Sequence, residues 1–215
     1  MISLHPNLFL SHSLTLCGFF FYHQPNQDVL NSPEVYIKTP SLYDFDPYDQ
    51  TGIAAKQDSQ TCEIETYELL QRHPHSNVCV YYGCARKDER VVGIVLRRYP
   101  RDLAGVVRNQ EEIPNKARII DDVRSALEHL HALGLVHNVI NPTNIMLDRN
   151  DHVVPVDLGI TGKKGETKSP YMGTPMWSRK STASEPEINW FSFDLLKRWL
   201  DGERPEDETW PLQGF

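Results

Sequence analysis

The hydrophobic pattern of the chain changes period about half-way along. The most apolar stretch is the N-terminal LFLSHSLTLCGFFFY, whose β-rich FFFY predicts a buried strand. HQPNQDVLNSP clusters Pro, Asn, Asp and Ser and reads as a turn or loop. EVYIK then alternates, with Val35 and Ile37 on one face and Lys38 following, which predicts a short strand. TPSLYDFDPYDQTG is acidic and broken by prolines, as expected of a surface insertion. From Ser59 to Arg72, Ile64, Tyr67, Leu70 and Gln71 recur near the helical period. HPHSN ends that helix, because Pro74 disfavours helical geometry at His73. NVCVYYGC and RVVGIVLRR read as two strands, and the polar ARKDE between them predicts a hairpin.

Beyond this point the period becomes helical. Pro114 begins an amphipathic segment in which Ile120, Val123, Leu127 and Leu130 share one face, and Gly134 is placed to close it. Strands with one helix, followed by a helical part, predict two lobes rather than a repeat array.

Composition narrows the picture a little. The chain of 215 residues is 40% hydrophobic and 24% charged, ordinary for a folded protein with a sizeable core. A net charge of −7 argues against nucleic acid or an anionic membrane as a broad-surface partner. Cys17, Cys62, Cys79 and Cys84 have neither C-x-x-C nor metal-ligand spacing, so reduced thiols in an intracellular, cytoplasmic protein are expected. The apolar N-terminus is too short for a membrane helix, is interrupted by His12 and lacks a basic flank of the signal-peptide kind.

The candidate chemistry lies in HNVINPTNIML, residues 137–147, and in VVPVDLG ahead of Ile160. His137 and Asn144 are seven residues apart, and Asn144 and Asp157 thirteen. This ordered set resembles the catalytic and metal-binding loops of the eukaryotic protein-kinase family, H-R-D-L-x-x-x-N followed by D-F-G. Val35-Tyr36-Ile37-Lys38 resembles the V-A-I-K strand, whose lysine binds the α/β-phosphates, and Glu63 is similar in position to its carboxylate partner. Lys56 competes for the lysine role but lies only seven residues before Glu63, too few for a strand end, a connection and a helix start. HPHSNVCVYYGC, IVLRRYPRDL with Leu96 near the gatekeeper position, GTPMW and NWFSFDLLKRWLDG are similar to further family elements. The resemblance covers roughly residues 30–202.

Each residue also has a plainer reading when taken alone. Lys38 could be a solvated strand-end lysine, Glu63 an acidic residue favoured at a helix start, and His137 a packed core histidine. Asn144 and Asp157 both suit tight turns. Order and spacing together favour the kinase reading. It implies an α+β, two-lobed protein-kinase-like fold, with a β-rich N-terminal lobe over 30–98 and an incomplete helical C-terminal lobe over 99–202. Residues 1–29 stand in place of a glycine-rich loop region, and 203–215 form a tail.

Departures from the family decide the expected function. Val139 occupies the position of the aspartate that accepts the substrate hydroxyl's proton, so no catalytic base is assigned. Asn138 replaces the arginine that can ground an activation-loop phosphate, and Asn141 replaces a γ-phosphate lysine. Gly18 stands alone where a glycine-rich loop would be, Ala-Pro-Glu is missing from WSRKS, and Asn189 replaces an aspartate at the buried helix. Losing a general base costs about 10²–10⁴-fold in rate. Removal of cationic and backbone phosphate contacts costs more, since positioning and electrostatics dominate this catalysis.

The resemblance therefore implies a pseudokinase with an interaction or scaffolding role toward protein partners. It retains weak ATP–Mg²⁺ binding through Lys38, Glu63, Leu96, Asn144 and Asp157, with Asn144 and Asp157 as metal ligands. The alternatives are a working Ser/Thr kinase and a non-functional kinase-derived fragment from a truncated or misjoined reading frame. Ser169, Tyr171 and Thr174 lie in the activation-segment region, but without an arginine beside Val139 a phosphate there lacks its expected anchor.

Overall fold

The computed structural model describes residues 22–40, 50–88, 90–167, 174–179 and 181–205. The first three residues of the expected FFFY strand, Cys17, Ser169 and Tyr171 fall outside the described residues, as does most of the acidic insertion, and Tyr22 is not in a strand.

The N-terminal lobe is a three-stranded antiparallel sheet with one long helix against it. Strand β1 (Val35–Lys38) pairs with β3 (Arg90–Arg97), which pairs in turn with β2 (Tyr81–Lys87). The alternation read in EVYIK is real: Val35 and Ile37 bury with Ala85 and Val95 on one face. Helix α2 (Gln50–Arg72) covers the other face, where Ile64, Tyr67 and Leu70 meet Cys84, Ile94 and Leu96. Tyr67 and Tyr81 stack at 5.5 Å between ring centres, tying α2 to β2. Gly83 in β2 has φ +125, and a Cβ there would sit 2.3 Å from the His23 carbonyl, which accepts from the Cys84 amide. Only glycine admits that approach.

Three sequence expectations are corrected here. HQPNQDVLNSP is not all loop: it contains the single-turn helix α1 (Gln27–Leu30), started by Asn26, whose side chain accepts from the Val29 amide. Helix α2 begins at Gln50 rather than Ser59, so the end of the expected insertion is helical. Strand β2 begins at Tyr81 rather than Asn77, because the Asn77 side chain is committed elsewhere and donates to the Val153 carbonyl at 3.1 Å.

The second lobe is helical with short strands. Strand β4 (Arg101–Asp102) leads into α3 (Leu103–Arg108), whose first turn is capped by Asp102 accepting from the Gly105 amide. Helix α4 (Lys116–Ala132) starts two residues after Pro114, with Asn115 as its cap, and buries Ile119, Val123, Ala126, Leu127 and Leu130. Gly134, with φ +72, follows its last residues in the left-handed conformation expected of a C-terminal glycine. Strand β5 (Leu135–Val136) pairs with β8 (Gly162–Lys163), and β6 (Ile145–Leu147) lies between β4 and β7 (Val153–Pro155). Helix α5 (Pro186–Leu200) completes the core with Phe193, Leu195, Leu196 and Trp199 against Val123 and Leu127.

The lobes are docked by the segment between α2 and β2. His75 stacks on His129 of α4 at 4.7 Å, and His129 Nε2 lies 2.8 Å from the His73 carbonyl. Together with the Asn77–Val153 bond, these contacts fix the rear of the cleft. The front is fixed by the groups that form the site.

Candidate active site

Lys38 stands on the β1 face that looks toward α2, opposite Ile94. Its ammonium reaches Glu63 at 2.8 Å to Oε1 and 2.7 Å to Oε2, and Asp157 Oδ1 at 2.7 Å. Two residues expected to pair from sequence therefore do so, and a third from the other lobe joins them. Burial alone would depress the Lys38 ammonium, but the Glu63 and Asp157 carboxylates outweigh it and its pKa is raised. Burial also raises the Glu63 carboxyl, with Lys38 opposing. Glu63 additionally accepts from the Leu158 amide at 3.3 Å, so it holds the start of the segment after Asp157. Lys56, the competing lysine, lies within α2 rather than on a strand.

Asp157 is in a left-handed conformation, φ +68, which Asp tolerates better than most residues and which recurs at functional sites. The Val156 amide next to it donates to the Asn144 carbonyl at 2.9 Å. Asn144 ends a 3₁₀ turn, Pro142–Asn144. Asn144, Asp157, Val139 and Asn141 all line one cavity of about 400 Å³. Among the described residues no group of three or more His, Cys, Asp and Glu side chains forms a self-sufficient metal cage. One carboxylate and one amide oxygen nevertheless suit Mg²⁺, which keeps several waters and takes its remaining oxygens from phosphates. The donor set fits that ion when it arrives with a polyphosphate. Lys38 and Glu63 do not line this cavity but reach it through the Lys38–Asp157 contact, and Leu96 makes no such link. It is buried with Ile64, Tyr67 and Leu158 and does not line this cavity.

The substituted loop positions have acquired other work. Val139 is 3% exposed and offers only methyl groups at the position expected from sequence to lack a proton acceptor. Asn138, with φ +70, donates through Nδ2 to the Ile160 carbonyl at 2.6 Å and to Ser184 Oγ at 3.1 Å. It thus joins both ends of the segment from Asp157 to Ser184 without charge. Asn141 caps the 3₁₀ turn by accepting from the Thr143 and Asn144 amides at 2.9 and 3.0 Å, and donates to Thr174 Oγ1 at 3.0 Å. Apart from the local cap by Asn141, these contacts were not legible in the sequence, since their partners lie 22 to 46 residues away.

His137 is fully buried, and burial holds its pKa below the ordinary value. As a neutral ring it donates from Nε2 to the Val156 carbonyl at 3.0 Å, a structural role. Asn189, the departure noted in α5, accepts from the His137 amide at 3.0 Å and lies 3.0 Å from His131 Nε2. Its amide oxygen supplies the acceptor that a carboxylate would.

Comparison with known proteins agrees with this geometry. The family model described as "Protein kinase domain" matches residues 49–188. The chain is 31% identical over 106 residues to a dual serine/threonine and tyrosine protein kinase of Strongylocentrotus purpuratus, covering 48% of this chain and 11% of that one. It is 26% identical over 170 residues to a probable serine/threonine-protein kinase of Dictyostelium discoideum, covering 76% of this chain and 18% of that one. The chain therefore spans under a fifth of either relative. Among solved structures, the yeast RNA Pol II CTD kinase CTDK-1 complex contains a chain that superposes with a TM-score of 0.56 at 18% identity, over 65% of this chain and 48% of that one. That likeness shows the two-lobed α+β fold.

Proposed function

Because the chain belongs to the protein-kinase family, we propose that it works as a pseudokinase, a domain that keeps the family's phosphate and metal groups but not its transfer chemistry. The observation that carries this reading is the contrast inside one cavity. Asn144 and Asp157 line it beside Lys38, while Val139, buried and apolar, stands where a proton acceptor is needed. Lys38 would hold phosphate oxygens, Glu63 would keep Lys38 extended, and Asn144 and Asp157 would hold Mg²⁺. The ion's chemistry is to bridge and neutralise phosphate oxygens. Val139 neither accepts a proton nor orients a hydroxyl. The lobes divide at the hinge, the connection between β3 and β4, as 30–98 and 99–202.

On this reading the domain acts through protein partners, and Mg²⁺–ATP binds weakly as a structural ligand. A cytoplasmic location, with reduced thiols, goes with it. A working Ser/Thr kinase is the second reading, favoured by the intact Lys38–Glu63 and Lys38–Asp157 contacts.

Thermal unfolding in millimolar Mg²⁺–ATP tests the binding half. A ligand present at about ten times its dissociation constant stabilises by about 1.4 kcal/mol. That corresponds to roughly 3–6 °C for a chain of this size. The shift is expected in the wild type and absent in Asp157→Ala. An equal shift in both variants would place ATP elsewhere.

A further inference from the structure

We propose that Tyr36 fills the part of the cleft in which the base of a nucleotide would lie, so that the site accepts Mg²⁺-bound polyphosphate at least as well as a complete nucleotide. The proposal rests on the reading of Lys38, Asn144 and Asp157 as phosphate and metal groups.

The position of the ring follows from the strand. Val35 and Ile37 bury on one face of β1, so Tyr36 and Lys38 project from the other. The register agrees, with Tyr36 opposite Leu96 and Lys38 opposite Ile94, both in the cluster beneath α2. Tyr36 lies about 7 Å of strand from Lys38. The direction is toward the hinge, because Val35 pairs with Arg97, the last residue of β3. Of the two directions along β1, this one leads to the closed end of the cleft, where the lobes join. A flat, largely apolar base is best enclosed at such an end.

Tyr36 is not a small lining group there. It is 47% exposed, one of two large hydrophobic residues so placed among the described residues. Its ring is braced by Arg98, whose guanidinium carbon lies 5.8 Å from the ring centre. Arg98 is itself tied to the Pro33 and Val35 carbonyls at 3.1 and 2.8 Å, which keeps the brace in place. A base lying flat against the strand brings atoms within about 3.5–4.0 Å of it, the layer that the phenol occupies. One cavity of about 400 Å³ is lined by Asn144 and Asp157, whereas only about 180 Å³ is open between Pro33, Glu34, Arg97, Arg98 and Asp148, where the lobes join. Of the two cavities, the larger lies at the metal end of the site.

Calorimetric titration with Mg²⁺–tripolyphosphate and with Mg²⁺–ATP tests this on the wild type, Tyr36→Phe, Tyr36→Ala and Tyr36→Val. The valine variant keeps a strand-favouring residue should alanine disturb β1. Tripolyphosphate is expected to bind all four alike. ATP is expected to bind the wild type and Tyr36→Phe no tighter than tripolyphosphate, and to bind the two truncations tenfold or more tighter. Unchanged ATP affinity in the truncations, with tripolyphosphate still bound, overturns this proposal alone. Weakened ATP affinity overturns it by making Tyr36 a platform on which the base stacks. Failure of both ligands on every variant overturns the phosphate-site reading together with it.

Discussion

Lys38→Met is expected to lower stability by about 2–3 kcal/mol at pH 8 and by clearly less at pH 5. Removing one member of a buried ion pair costs about 3–5 kcal/mol, because the other charge is left uncompensated. The lower figure applies here because the Lys38 side chain is 31% exposed, although that of Glu63 is only 5% exposed. Methionine preserves the apolar stem, so the loss reports the charge. The sign of the pH dependence follows from Glu63, whose carboxyl burial raises above 4.5 while Lys38 opposes the rise. A carboxyl raised in the folded state binds its proton more tightly there, so stability falls as pH rises from the unfolded value through the folded one. Without Lys38 the folded value moves higher, and the variant regains stability on acidification. The wild-type Lys38 is raised above 10.5, so its own contribution is intact below that value and is lost as pH rises through its folded pKa. Urea denaturation of both proteins at pH 5 and pH 8 measures the difference. An equal loss at both pH values would show that Glu63 does not depend on Lys38 for compensation.

Asn189→Leu is expected to cost about 2–3 kcal/mol, or roughly 5–10 °C in melting temperature for a chain of this size. The leucine has the same branched heavy-atom skeleton, with bulkier methyl groups, and leaves the buried His137 amide without its acceptor and removes the group facing His131. A buried donor left unsatisfied costs about 1–3 kcal/mol. Asn189→Asp keeps the oxygen and is expected to lose less than half as much. If Asn189→Leu melts with the wild type, the link between α5 and the loop at His137 carries no weight.

Local signals account for what was legible in the sequence. The period-2 burial of Val35 and Ile37 and the one-sided stripe of α4 are patterns within a few residues, and both appear, except that Ile119 rather than Ile120 is the fully buried first member of the stripe. Lys38 meeting Glu63 could be expected because family order supplied what spacing could not. The misses share a physical cause. Helix α2 opens with QTGIAAKQD, whose polar residues give no helical stripe, so its first nine residues read as loop. Helix α1 is one turn held by an Asn26 cap, and an asparagine in a Pro- and Asn-rich stretch suits a turn equally well. The anchoring roles of Asn138, Asn141 and Asn77 depend on partners far along the chain. Read locally, they were losses of charge in the first two and part of a strand in the third. Tyr36 was visible as the second residue of V-Y-I-K, yet its bulk acquires meaning only once the strand's two faces are assigned.

The central claim is that this loop keeps its architecture and has lost its transfer step. Kinases turn over at roughly 1–100 per second, and loss of the general base alone lowers that by about 10²–10⁴-fold. The most direct measurement is transfer of label from γ-labelled ATP, to protein substrates and to the chain itself, by the wild type and by Asp157→Ala. The account predicts the same background in both proteins. Wild-type transfer faster than about 1 per second, above what loss of the general base leaves, and abolished by Asp157→Ala, would contradict it and establish a working kinase.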